Sequence, residues 1–273
     1  MVRLGAKREE AQYLQKSYKV SANRTCRLLS LNRSSFDYKP RPKTDEPISI
    51  RLKELAGNHR RFGHPRLFEL LKREGIKVNH KRSERIYQNL KLQIKYRKRK
   101  KLGSVTRITA TKAEVINECW GIDFMHDFIE SGRKLKILTI VDEKGKESPG
   151  ALVDTSITGE NVTEFLDTLS VLPSRIRVDQ GTEFTSCAFL NWAYKRGIEI
   201  QFSGVGKPNA EIEAFNSRMR DECLNEHVFF SLEDAREKIN QWLDKYNTIN
   251  PHSTLGMKTP KEFAKQEGLM LTG

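Results

Sequence analysis

Residues 176–184 are Ile-Arg-Val-Asp-Gln-Gly-Thr-Glu-Phe, and residues 210–220 are Ala-Glu-Ile-Glu-Ala-Phe-Asn-Ser-Arg-Met-Arg. In the first stretch apolar and charged side chains alternate and stop at Gln-Gly, which predicts a short strand ending at Asp179. In the second stretch apolar residues recur at helical spacing. The polar residues on a neighbouring face of that helix are Glu213, Asn216 and Arg220. A strand-end carboxylate and a helix face carrying an acid, an amide and a base therefore mark a candidate site.

A third carboxylate lies upstream among apolar residues. Residues 119–125 are Cys-Trp-Gly-Ile-Asp-Phe-Met and predict a buried strand, followed by a second β-rich run at 135–141. Burying the charged Asp123 is costly unless it is paired or holds a cation. Each acid alone is equally consistent with a solvated surface carboxylate, but the three together favour a shared metal site.

Short motifs follow one another along most of the chain. They are Trp-Gly-Ile-Asp-Phe-Met-His-Asp at 120–127, Val-Asp-Gln-Gly-Thr-Glu-Phe at 178–184, Gly-Lys-Pro at 206–208, the run at 213–227, Tyr-Asn at 246–247, Pro-His-Ser-Thr-Leu-Gly at 251–256 and Thr-Pro at 259–260. Each motif is weak alone, but in this order they resemble the OrfB transposases of the insertion-sequence-three family. The resemblance implies an α/β, RNase H-like integrase catalytic core, preceded by an all-α helix-turn-helix DNA-binding region. In it Asp123, Asp179 and Glu213 match the family's catalytic acid triad.

The resemblance also implies a magnesium- or manganese-dependent enzyme that cuts the ends of its element and joins them to DNA. Phosphodiester cleavage and strand transfer can be run by two divalent ions. Magnesium takes oxygen ligands and keeps several waters, so a few carboxylates and a substrate phosphate suffice. We expect Asp123 to bridge two ions, Asp179 to hold one and Glu213 to hold the other.

Supporting residues are expected around the acids. Lys207 and Arg220 are candidates to hold the scissile or a flanking phosphate, and Asn216 to orient Glu213. Two further acids are rival metal ligands, namely Asp127 and Glu183, of which Glu183 is the weaker because it lies beside Asp179 in a turn.

The loop before the predicted 210–220 helix is two residues shorter than the family pattern. Because buried apolar residues set the rotation of the helix, we expect Glu213 still to point towards both aspartates, within metal-bridging reach. We therefore expect metal binding to be retained and strand transfer to be slow. The alternative is a catalytically inactive DNA-binding remnant or a regulator of transposition.

Charge is divided unevenly along the chain. The net charge is +14, yet residues 1–114 carry 31 Lys and Arg against 10 Asp and Glu, whereas residues 115–273 carry 18 against 25. A basic amino half is typical of nucleic-acid binding, and an acidic half accommodates cations. The densest basic run includes Lys98, Arg99, Lys100 and Lys101. We expect this run to contact phosphates, although a flexible linker is equally consistent with it.

A three-helix unit is predicted ahead of that run. Pro65 begins its second helix, Gly75 ends it, and Asn79 caps a third helix that reaches about Leu90. The outward residues of the third helix include Lys81, Arg82, Arg85 and Gln88. Forked donors and amides of this kind contact base edges and phosphates. A helix-turn-helix follows, with an ordinary amphipathic helix bearing a solvated basic face as the alternative.

The chain divides into five predicted segments. They are a helical segment with a Pro-rich linker at 1–46, the helix-turn-helix at 47–96, a basic linker at 97–114, the catalytic core at 115–230, and a C-terminal helix and tail at 231–273. Within the core the predicted order is strand, strand, strand, helix, strand, helix, strand, helix. Such mixed α/β order suits an RNase H-like layer.

Partners and location follow from the same features. We expect the protein to bind the terminal repeats of its element and target DNA, as a homo-oligomer, with an upstream-frame transposase protein as a further partner. No apolar signal region or membrane span is present, so we expect a cytoplasmic, nucleoid-associated protein. Four scattered cysteines without a CxxC pair disfavour a zinc site or a disulfide framework.

Overall fold

A computed structural model describes residues 4–38, 45–94, 112–203 and 209–271. The chain forms two compact units, Met1–Pro47 and Ile48–Gly273. The helices of the first unit are α1 (Leu4–Tyr18), α2 (Ala22–Leu28) and α3 (Arg33–Asp37). The predicted helical segment is confirmed for these residues, and the Ser21 side chain caps α2 by accepting the backbone N–H of Arg24. The sequence interpretation missed α3, which Asn32 caps.

Three helices open the second unit, as the sequence predicts. They are α4 (Glu46–Asn58), α5 (His64–Arg73) and α6 (His80–Asn89). Pro65 lies in the first turn of α5, and the Asn79 side chain accepts the backbone N–H of Lys81 at 2.9 Å to begin α6. Ile86 and Tyr87 of α6 pack with apolar residues of α4 and α5 in one small core. His64 is also buried, and its Nε2 lies 3.2 Å from the Ser83 hydroxyl.

A five-stranded mixed sheet forms the centre of the unit. Its strands are β1 (Cys119–Phe128), β2 (Lys134–Asp142), β3 (Ala151–Asp154), β4 (Arg175–Val178) and β5 (Glu199–Phe202). Their spatial order is β3-β2-β1-β4-β5, with β1, β2 and β3 antiparallel and β1, β4 and β5 parallel. The predicted order of strands and helices is confirmed from β1 to the helix after β5.

Helices cover both faces of the sheet and close two apolar cores. They are α7 (Gly159–Asp167), α8 (Cys187–Arg196), α9 (Ala210–Glu222) and α10 (Leu232–Thr248). Trp120 and Ile122 of β1 face the core shared with α7 and α8, whereas Met125 faces the core shared with α9 and α10. Because side chains alternate along a strand, Asp123 lies on the face that α9 covers.

The C-terminal segment contains more structure than the expected helix and tail. After α10 the chain forms a short 3₁₀ turn at Ser253–Leu255 and a further helix, α11 (Pro260–Leu271), that packs on α10. Thr259 and Glu262 form a reciprocal cap: the Thr259 hydroxyl accepts the N–H of Glu262 at 3.2 Å, and the Glu262 carboxylate accepts the N–H of Thr259 at 2.8 Å. The tail was wrongly predicted because we did not recognise this capping signal.

Ion pairs join the three-helix part of the second unit to its sheet part. Arg66 of α5 donates to Glu222 at the end of α9 at 3.0 Å, and both side chains are largely buried. Arg73 forms a two-pronged bond with Glu262 at 3.0 and 2.9 Å. We call these two pairs the seam.

None of the helices in the described parts of the chain combines the length and the apolar character that a membrane span requires.

Candidate active site

Asp123 lies within β1, half-buried beneath α9. One carboxylate oxygen accepts the backbone N–H of Phe124 at 2.8 Å, and the other accepts the Nδ2 of Asn216 on α9 at 2.8 Å. The polar contact with α9 explains how a carboxylate is tolerated in a strand with buried neighbours.

Asp179 directly follows β4, the parallel neighbour of β1. Trp120 pairs with Ile176 and Gly121 with Arg177, so the same register continued by two residues brings Asp123 opposite Asp179. Paired residues in adjacent strands share a face of the sheet. The Asp179 side chain is exposed and accepts the N–H of Gly181 at 3.0 Å. The predicted strand is therefore confirmed and ends at Val178, one residue before Asp179. Asp123 lies in β1, and Asp179 directly follows the neighbouring strand.

Glu213 lies in the first turn of α9 with an exposed side chain. The start of this helix rests directly on β1, because a Cβ atom added at Gly121 would lie 3.2 Å from the Cβ of Ile212 and 3.1 Å from the Nδ2 of Asn209. Gly121 is two residues from Asp123 on the same face. The absence of a side chain at Gly121 thus brings the helix that carries Glu213 close to the strand that carries Asp123.

The three acids interact electrostatically. Burial raises the pKa of Asp123 above its ordinary value, and the charges of Asp179 and Glu213 raise it further, against the lowering effect of the bonds from Phe124 and Asn216. Both other carboxylates are therefore near enough to repel a charge on Asp123. A cation would relieve this repulsion.

Whether the three carboxylates can hold a metal ion depends on donors and on distances. The donors are oxygens alone, the set that magnesium and manganese prefer. As the side chains lie, however, no three His, Cys, Asp or Glu residues in the described parts of the chain are close enough to share an ion. That Glu213 reaches both aspartates through a shared metal ion therefore stays a prediction. Asp179 and Glu213 are both exposed, so their side chains have space to turn inwards.

Comparison with known proteins bears on this arrangement of strands and helix. Two family models, each described as "Integrase core domain", match residues 114–208 and 196–260, and an "HTH-like domain" model matches residues 44–100. The "Insertion element IS407 uncharacterized 31.7 kDa protein" of Burkholderia multivorans is 42% identical over 251 residues, covering 90% of this chain and 91% of the relative. The chain belongs to the integrase-core transposases of insertion elements.

Two more distant proteins are also similar to this transposase. The "Putative transposase InsK for insertion sequence element IS150" of Escherichia coli is 25% identical over 265 residues, covering 88% of this chain and 92% of the relative. The structure of the HTLV-2 integrase catalytic core domain in complex with magnesium has a TM-score of 0.46 and 20% identity, covering 56% of this chain and 99% of that chain. Membership of the family implies polynucleotidyl transferase activity, and the HTH-like domain implies DNA binding.

Asn216 of the transposase has a different contact from the one we expected. Sequence analysis assigned it to Glu213, but its amide donates to Asp123 at 2.8 Å and its Oδ1 accepts the hydroxyl of Thr139 at 2.8 Å. The reason is its place on α9, one turn beyond Glu213 and over the paired strands β1 and β2. Thr139 was not identified from the sequence, although it is a hydroxyl residue within the apolar run 135–141.

Arg220 is held by β1. Its guanidinium donates to the Asp127 carboxylate at 2.9 Å and to the His126 carbonyl at 2.7 Å. The sequence-based assignment of Arg220 to substrate phosphate is therefore not supported by its contacts, because α9 turns this residue towards the far end of β1. Asp127, one of the two rival acids, is the partner in this ion pair.

Glu183, the other rival acid, is neutralised by Lys136 of β2. Lys136 donates to the Glu183 carboxylate and also to the Ile157 carbonyl at 3.2 Å. Although partial burial opposes it, the bond from Lys136 keeps the pKa of Glu183 below its ordinary value. Glu183 therefore has a cationic partner of its own, whereas Asp123 accepts from two neutral donors, the Phe124 N–H and the Asn216 amide.

The expected DNA-contacting residues fall in two groups. On α6, Lys81 and Gln88 are exposed, whereas Arg82 and Arg85 are half-buried. The remaining candidates lie outside the described residues of the transposase, namely Lys98, Arg99, Lys100, Lys101 and Lys207. The α6 residues thus lie on one helix of the HTH-like domain, as predicted.

Proposed function

We propose that the chain is a DDE-type DNA transposase, in which Asp123, Asp179 and Glu213 hold two divalent ions, Mg²⁺ or Mn²⁺. It cuts the ends of its insertion element and transfers them to target DNA. The observation that carries this proposal is the parallel pairing of β1 and β4, whose register, continued by two residues, sets Asp123 opposite Asp179, beneath the helix that has Glu213 in its first turn. Bound metal would supply activation of the attacking oxygen and stabilisation of the leaving oxygen.

Three carboxylates would hold the metal ions, and neighbouring side chains position or neutralise the acids around them. Asp123 is the least exposed of the three acids, and the Asn216 amide holds one of its carboxylate oxygens, so the position of this ligand is set in advance. Asp179, which directly follows β4, and Glu213, in the first turn of α9, would supply the other carboxylate ligands. Lys136 keeps Glu183 paired and out of competition.

DNA is bound at a distance from the acids by the basic amino half. Lys81, Arg82, Arg85 and Gln88 of α6 contact base edges and phosphates at the element ends, and residues 98–101 contact phosphates of any duplex. Lys207 is the candidate to hold phosphate near the acids. Two or more copies pair the two ends, and an upstream-frame transposase protein adds further DNA contacts. In this proposal, segments 47–96 and 97–114 bind DNA and segment 115–230 carries out catalysis.

The decisive experiment is cleavage of duplex oligonucleotides taken from the two ends of the encoding element, with Mg²⁺ or Mn²⁺. We expect Asp123→Asn, Asp179→Asn and Glu213→Gln each to abolish nicking and strand transfer while DNA binding is retained. Glu183→Gln is the matched control, since it removes a nearby carboxylate that Lys136 already neutralises, and it should keep most of the activity.

Two other outcomes would contradict the proposal. Equal nicking by wild type and Asp179→Asn would exclude this residue as a metal ligand. DNA binding by the wild-type protein without cleavage under any metal condition would favour the alternative, a DNA-binding remnant or regulator.

A further inference from the structure

Thr139 is a fully buried hydroxyl residue between Leu138 and Ile140 of β2. It lies opposite Asp123 in the antiparallel pairing of β1 and β2. Its hydroxyl is 2.8 Å from the Oδ1 of Asn216 and 3.0 Å from the backbone carbonyl oxygen of Asp123. Thr139 therefore contacts both Asp123 and the residue that holds its carboxylate.

We propose that Thr139 is a positioning residue of the transposition site, whose hydroxyl keeps the NH₂ end of the Asn216 amide turned towards Asp123. The inference rests on the proposed role of Asp123 as a metal ligand. It adds a residue from a fourth structural element, β2, to a site otherwise built from β1, β4 and α9.

The two ends of the Asn216 amide face different partners. An ionised carboxylate only accepts hydrogen bonds, so the NH₂ end of Asn216 must face Asp123 whenever that acid carries its charge. The carbonyl end then faces β2 and requires a donor of its own. A hydroxyl has one proton to donate, and of the two acceptors near Thr139 the Oδ1 of Asn216 at 2.8 Å is closer than the Asp123 carbonyl at 3.0 Å, so the hydroxyl donates to Asn216.

The burial of the contact makes that single donor important. Thr139 has no exposed surface, so solvent does not reach its hydroxyl to take over the bond. Valine has nearly the shape of threonine but no donor, and Thr139→Val would leave the amide oxygen of Asn216 facing an apolar group. An amide oxygen that faces apolar atoms without a donor is unfavourable, and a turn of the amide towards another donor relieves it. That turn breaks the bond to Asp123.

The loss is expected in function more than in stability. Asn216 is half-buried, so the amide has room to turn once its oxygen loses the hydroxyl. An Asp123 carboxylate released from Asn216 occupies a wider range of positions, and a poorly held ligand lowers both metal affinity and rate.

The test uses the full-length chain and three readouts. They are melting temperature, Mn²⁺ affinity measured by electron paramagnetic resonance of the free ion, and turnover on duplexes from the element ends. The hydroxyl is removed in Thr139→Val and kept in Thr139→Ser, its matched control. Asn216→Ala and the double variant of Thr139→Val with Asn216→Ala complete a double-mutant cycle.

We expect Thr139→Val to lower turnover about tenfold or more and to weaken Mn²⁺ binding several-fold. Thr139→Ser should restore both to within about threefold of wild type, since it returns the donor. In the Asn216→Ala background Thr139→Val should have little further effect, because the amide through which it acts is gone. A merely structural role would persist in that background. If Thr139→Val lowers the melting temperature strongly, Thr139→Ala, which also lacks the hydroxyl, is measured in its place.

Three results would overturn the inference. The first is wild-type turnover and Mn²⁺ affinity in both Thr139→Val and Thr139→Ala, with Asp123→Asn inactive; this leaves the proposed function intact. The second is an undiminished effect of Thr139→Val in the Asn216→Ala background. The third is full activity of Asp123→Asn, which refutes the proposed function and removes the basis of the inference with it.

Discussion

Acid should destabilise the protein through His252, which is 5% exposed in the C-terminal part of the second unit. Burial lowers the pKa of His252 from 6.5 to about 3, and the positive charges of Arg218, Arg66 and Lys146 contribute. Arg218 lies with its Nη1 2.8 Å from the imidazole Nε2, so the neutral ring accepts this bond. Protonation of His252 would remove the ring nitrogen that accepts from Arg218 and would place a second positive charge beside that of Arg218 in a buried position.

The sign and size of the effect follow from linkage. Because the folded pKa is depressed, the unfolded chain takes up the proton first, so stability is complete above pH 6.5 and is lost as the pH falls towards 3. With these two values the folded state loses about 2 kcal/mol of unfolding free energy at pH 5 and about 3 kcal/mol at pH 4. Losses of this size are a large part of the stability of a typical domain.

The measurement is urea unfolding followed by tryptophan fluorescence between about pH 8 and pH 5. His252→Gln keeps an acceptor for Arg218 but does not titrate, so it is the control for the other acid-sensitive groups. Those groups include His59 and His64, whose pKa values burial also lowers. We expect wild type to lose about 2 kcal/mol more than His252→Gln over this range. Equal losses in the two proteins would refute the assignment.

Three further predictions concern the seam, the strand beneath α9, and DNA recognition. Arg66→Glu should lower the unfolding free energy, measured by urea titration, by about 1–3 kcal/mol, because it places two carboxylates together where both side chains are largely buried. Adding Glu222→Arg to the same chain restores an ion pair and should recover part of the loss. Gly121→Ala should displace the start of α9 and reduce end cleavage severalfold, whereas Gly57→Ala, with nothing within 4 Å of the added atom, should leave cleavage unchanged. Arg82→Ala should reduce the preference for element ends over random duplex in competition binding, and an unchanged ratio would contradict its role in recognition.

Alternation along strands and periodicity along helices were sufficient to predict most of the fold. Apolar and charged residues alternate up to Asp179, and this local pattern predicted both the strand and its end. Helical spacing likewise predicted that Ile212 and Phe215 are buried. Patterns of this kind are local, so they predict which residues share a face and leave open what that face contacts.

Contacts between elements account for the errors at the site. Asn216 and Arg220 were correctly placed on one helix, but their partners Asp123 and Asp127 lie more than 90 residues away, where periodicity carries no information. Thr139 escaped notice because a threonine suits a strand by propensity alone. The assignment of metal-binding and DNA-binding residues stays a prediction, to be tested by the variants above.

The seam has a consequence for exchanging recognition domains between related transposases. Helix α9 is 13 residues long, about 20 Å, with Glu213 in its first turn and Glu222 at its last position. Since Glu222 is the residue that Arg66 binds, the DNA-recognition helices are fastened to the far end of the same rod that carries a proposed catalytic acid. Consider a chimera that takes α4 to α6 from a related transposase and the rest from this chain. Its Glu222 would then face whichever residue the relative has at the position of Arg66. Chimeras that also take the end of α9 and the position of Glu262, the partner of Arg73, from the relative should keep both ion pairs and dock the three helices on the sheet part. Chimeras that take the three helices alone should not.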